Sequence, residues 1–207
     1  MMDELDLLKK DWKRNENSFE QISEIDIYKM LHKKSSSVVK WILVISILEV
    51  LLWTTISIFF NSDDYLRKMH NENLVEYFKY LTAFNYVIIA VFIFLFYKNY
   101  TAISTTTSTK NLMSAILKTR RTVNCYVWFN LGMMAMSMVL GFVIAFTINP
   151  EIHQLIENQK SFIILVAFCT VCLGLFLLLF WLFYRLIYGI LLRRLSNNYK
   201  ELKKIDL

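Results

Sequence analysis

The sequence predicts an all-α fold, a four-transmembrane-helix bundle with cytoplasmic amphipathic helices, and three observations predict it. Of 207 residues, 56% are hydrophobic and only 19% charged. The chain holds 4 Gly and 1 Pro, far too few for a β sandwich or barrel, which needs a turn residue roughly every ten positions. Its apolar residues gather in four runs close to or above the roughly 20 residues a helix needs to cross hydrocarbon.

The elements follow in order. Residues 1–37 form a cytoplasmic segment with two apolar stripes. Leu5, Leu8 and Trp12 fall on one helical face, residues 15–18 break the pattern, and Ile25, Tyr28 and Leu31 make a second stripe that leads toward the first span. Ser23 with Asp26 three residues later is a shortened analogue of the capping box and predicts the start of that second helix. The membrane domain covers residues 38–192, with spans at about 38–60, 80–97, 123–148 and 162–184. The first contains Lys40 near its start and Glu49 in its middle. The second and third carry no charge, and the fourth run meets Arg185. Between the second and third spans, residues 101–109 are hydroxyl-rich and poor in helix formers, which predicts a break. Leu112, Met113, Ile116 and Leu117 then make the apolar face of a basic amphipathic helix that runs into the third span. Residues 193–207 are read as a basic cytoplasmic tail.

Orientation follows from the bases. The N-terminal segment, the loop before the third span and the segment from Arg185 onward together hold 19 of the 23 Lys and Arg, and the other two loops hold 4. That asymmetry places both termini in the cytoplasm of a multi-pass protein in a bacterial inner membrane. The acidic opening MMDELD and the late, long first apolar run predict no cleavable signal peptide. The net charge of +6 collects beside the inner face, which predicts contact with the bilayer and its anionic inner-leaflet lipids, and no nucleic acid.

Glu49 is the candidate intramembrane polar residue, because an acid near the bilayer midplane costs several kcal/mol unless neutral or partnered. Ser46, Trp53 and Ser57 share its face. It reads either as a proton or cation site or as a structural acid bonded to a hydroxyl at similar depth, Ser137 or Thr170. Ser137, Gly141 and Ala145 on the third span, and Ala167, Thr170 and Gly174 on the fourth, form small faces that predict close helix approach. Met133, Met134, Met136 and Met138, with Cys169 and Cys172, read as packing rather than a soft-metal site. The topology splits His32, His70 and His153 across the membrane, and no phosphate loop, nucleophile elbow or metalloprotease helix occurs. No catalytic residue, cofactor or metal is therefore expected.

The segments DELDLLKKDWKRNE, IYKMLHKKSSSVVKWI and LMSAILKTRRTVN resemble a group of small, uncharacterised bacterial inner-membrane proteins. Members often carry the label beta-carotene 15,15'-monooxygenase, which implies a nonhaem iron oxygenase. Such oxygenases hold iron with four His on a β-propeller, so no catalytic residue carries over to this chain. The leading functional expectation is a non-enzymatic membrane protein that presents Leu5, Leu8, Trp12, Ile25, Tyr28 and Leu31 to a protein partner or a second copy, in a regulatory role. Its mixed-charge N-terminal segment suits protein better than lipid. The alternative is a small transporter or ion-coupled protein using Glu49, and the third is a membrane oxygenase.

Overall fold

The computed structural model describes residue 9 and residues 23–59, 72–148 and 159–205. Four helices account for nearly all of these: α1 (Glu24–Phe59), α2 (Glu72–Thr105), α3 (Thr109–Ile148) and α4 (Gln159–Ile205), with no strand among the described residues. All four are long and apolar enough to span a membrane. The fold is an all-α bundle of a multi-pass membrane protein. Leu5, Leu8 and Trp12 lie outside the described residues.

Local chemistry sets the helix ends. Ser23 Oγ accepts a bond from the Asp26 backbone N–H at 3.2 Å and donates to Asp26 Oδ2 at 2.7 Å, so the shortened box caps α1. Glu24 and Asp26 in the first turn also face the positive end of the helix dipole. At the α2–α3 junction the break covers only residues 106–108, narrower than the 101–109 tract. Thr101 and Thr105 donate to the carbonyls of Tyr97 and Thr101, each four residues back, and so continue the helix instead of ending it.

The helices form a ring in which α1 packs on α2 and α4, and α3 packs on the same two, with lighter diagonal contact between α1 and α3. Burial is concentrated at one end. Leu31, Ile103, Leu112, Ile116, Leu195 and Leu202 are almost completely covered, and they belong to the ends of the four helices near residues 23, 106–108 and 205. Toward the opposite end, Ile58, Phe59, Phe84, Val143, Ile163 and Phe168 are exposed. The physical reason is the change of solvent. Apolar side chains beyond the hydrocarbon must be removed from water, at about 25 cal/mol per Å², whereas within it they lie against lipid tails as apolar as themselves.

Several sequence expectations change here. Within the segment read as a basic tail, residues 193–205 are helical and form the last turns of α4, holding Leu195 and Leu202 in the core, and buried Asn198 donates to Ser35 Oγ at 3.1 Å. In the second stripe, Leu31 is buried and Tyr28 donates to the Thr106 carbonyl at 3.2 Å, which leaves Ile25 open at 66% exposure. The small faces do not meet closely. A Cβ built on Gly141 or Gly174 finds no heavy atom within 4 Å, because the tight packing lies at the other end of the bundle.

Candidate functional site

Glu49 stands on α1 where the buried core gives way to the open part of the bundle. Three tyrosines converge on it, one from the diagonal helix and two from the neighbouring one: Tyr126 of α3 donates to Oε2 at 2.9 Å, Tyr188 of α4 donates to Oε2 at 3.2 Å, and Tyr184 of α4 donates to Oε1. Each phenol is itself fixed. The Tyr126 ring meets Phe92, Phe96 and Tyr188 edge to face at 5.4, 5.4 and 6.0 Å, and Tyr184 stacks on Tyr188 at 6.0 Å. Spacing of four residues puts Tyr184 and Tyr188 on one face of α4, so both hydroxyls reach the same carboxylate.

Beyond the tyrosines the carboxylate belongs to the wall of a cavity of about 360 Å³, to which Trp53, Tyr86, Asn130, Ser137 and Phe176 also contribute. Met133, Met134 and Met138 fill part of the same wall. Asn85 is a further lining residue, and its Oδ1 is buried with no hydrogen-bond partner among the described residues. Tyr86 and Thr54 share a hydrogen bond at 3.2 Å that ties α2 to α1 beside the cavity.

The partners differ from those expected for Glu49. Ser137 shares its cavity but does not bond to it, and Thr170 is exposed and donates to the Val166 carbonyl of its own helix. Matching depths by the centres of the apolar runs selects short hydroxyls at the same level. A phenol carries its hydroxyl at the tip of a long ring, so Tyr126 near the start of the third run and Tyr184 near the end of the fourth reach a carboxylate deeper in α1. Tyr126 and Tyr184 lie near span ends, where an aromatic suits the headgroup level equally well, and Tyr188 lies beyond the fourth span as read from the sequence. The available signal was the Tyr-x-x-x-Tyr spacing in an apolar helix, where hydroxyls need a partner.

Of the three histidines, His32 alone falls among the described residues, half-buried beside Tyr28 with 5.9 Å between ring centroids. Among the described residues, no three of His, Cys, Asp and Glu gather in a metal-binding group.

Residues 25–207 match the family described as a domain of unknown function, DUF8845. The chain belongs to this family. No curated protein and no solved structure matches it. The DUF8845 match spans all four helices, so Glu49, its three tyrosines and the cavity all lie within the family's domain.

Proposed function

We propose that this protein is a small transporter or ion-coupled protein of the bacterial inner membrane that takes a small cation at Glu49, with both termini in the cytoplasm. The observation that carries the reading is a carboxylate in the wall of a 360 Å³ cavity, held in place by three phenols and flanked by aromatic rings. A carboxylate offers about four acceptor positions; the phenols occupy three, and the Trp53 indole N–H stands beside the fourth, so a ligand N–H or a proton arriving from the cavity takes the place of that indole contact. Trp53, Tyr86 and Phe176 suit the body of an organic cation, and the open Asn85 acceptor suits a second N–H. An inorganic divalent ion would find one carboxylate where it needs several oxygen ligands.

Purified protein titrated calorimetrically with hexylammonium and dipropylammonium, both of which carry N–H donors, tests this. Binding is expected for at least one of the two, with Glu49→Gln weakening it tenfold or more while helicity is retained. Equal binding by the Gln variant removes the proposal. A second reading, presentation of the cytoplasmic helices to a protein partner or to another copy, is favoured by Ile25, which stays exposed where Leu31 of the same stripe is covered. Photocrosslinking from position 12 tests it, since adducts with lipid alone would leave no partner surface.

A further inference from the structure

We propose that a groove between α1 and α4 is a binding site for a phosphate-bearing anion, independent of Glu49. Lys33, Lys34 and Ser37 of α1 face Arg194, Asn197 and Asn198 of α4 across an open space of about 600 Å³. The spacing explains the alignment. Positions 33, 34 and 37 lie on one face of α1, and positions 194, 197 and 198 lie on one face of α4 at the same intervals. No carboxylate lines the groove, and among the described residues no acid pairs with Lys33, Lys34 or Arg194, whereas Lys29 on the same helix does pair with Asp26.

Three cations directed into one groove repel each other unless an anion lies between them. The uncharged members suit the same ligand: Ser37 and Asn197 are exposed donors. Asn198 is anchored at the base of the groove by its bond to Ser35 and keeps the two helices at a fixed separation. Lysine, arginine, serine hydroxyl and asparagine amide together match the several acceptor oxygens of a phosphate.

Height along the bundle indicates the source of the phosphate. Val38, where the first apolar run begins, is in the groove wall, and Arg194 lies two residues past position 192, where the membrane domain ends. The groove therefore sits at headgroup level, and Met30 and Val38 give it an apolar side that suits a lipid's glycerol and upper acyl carbons.

The test uses full-length protein reconstituted in phosphatidylcholine vesicles with and without phosphatidylglycerol, then released and weighed by native mass spectrometry with its retained lipids. Phosphatidylglycerol is expected to be retained over phosphatidylcholine, and the Lys33→Gln, Lys34→Gln, Arg194→Gln triple variant is expected to lose about tenfold of that preference. All three residues are exposed, so the variant keeps its helicity. A control triple variant with Gln at Lys118, Arg120 and Arg121, equal in charge but outside the groove, should keep the preference. Glycerol 3-phosphate in solution distinguishes the two sources. Binding of it that depends on the three groove residues, without lipid preference, supports the phosphate site and assigns it to a soluble ligand. Equal losses in both triple variants, or a first variant that loses neither lipid preference nor glycerol 3-phosphate binding, overturn the proposal.

Discussion

At the scale of single residues, two buried polar arrangements decide how α1 and α4 sit together. One is Glu49 with its phenols. The other is Ser35 with Asn198, both buried, at 3.1 Å. Removing one member of such a pair strands the other, which costs about 1–3 kcal/mol, while removing both is cheaper. Asn198→Ala is therefore expected to lower the thermal unfolding midpoint in detergent, and Ser35→Ala combined with Asn198→Ala to lower it by less than the sum of the single changes. Additive losses would show that the bond does not couple the helices. Glu49 was visible in the sequence because an acid inside an apolar run needs a partner. Tyr126, Tyr184 and Tyr188 were not, because aromatics near span ends satisfy the headgroup rule equally well and only the packed structure turns them inward.

Among the elements, helix termini were the most legible. The Ser23 and Asp26 pair marks the start of α1, and a cap of this kind is worth about 1 kcal/mol. Ser23→Ala is expected to speed hydrogen exchange at the Asp26 and Ile27 amides, both of which bond to Ser23 in the folded chain, without changing the exchange of the core around Ile42. Unaltered exchange at the two amides would show that the carbonyl of residue 23 suffices. The α2–α3 turn was legible in position but not in extent. Threonine lowers helix propensity, yet Thr101 and Thr105 each bond a carbonyl of the preceding turn, a local compensation that composition does not reveal. The final helix was the reverse case. A stretch rich in Lys and Arg reads as a tail, but Leu195, Asn198 and Leu202 recur at intervals of three and four, and that stripe is what α4 buries.

For the whole molecule, the ends of α1 and α4 near Ser35 and Asn198 lie together with the 106–108 turn, as four antiparallel crossings require. Cysteine labelling from outside intact cells, with Cys125, Cys169 and Cys172 replaced by Ser, is expected to reach a Cys placed at Asn71 or Gln154 and to miss one at Ser108. Labelling at Ser108 would invert the orientation that the 19 to 4 distribution of bases supports.

Two properties of this protein were set by the sequence without reference to its neighbours in space: that it is helical, and that it has four segments long and apolar enough to cross a membrane. Both depend on quantities summed along the chain, namely the scarcity of Gly and Pro and the length of each apolar run, and such sums need no knowledge of packing. The tertiary structure alone decided what Glu49 touches, where the tight packing lies and which bases face each other. Those outcomes depend on helix rotation, axial offset and side-chain reach. In hydrocarbon, apolar surface is equally well placed against lipid or protein, so hydropathy does not fix the rotation of a helix, and the few polar bonds between helices and the watery burial at one end must do so instead.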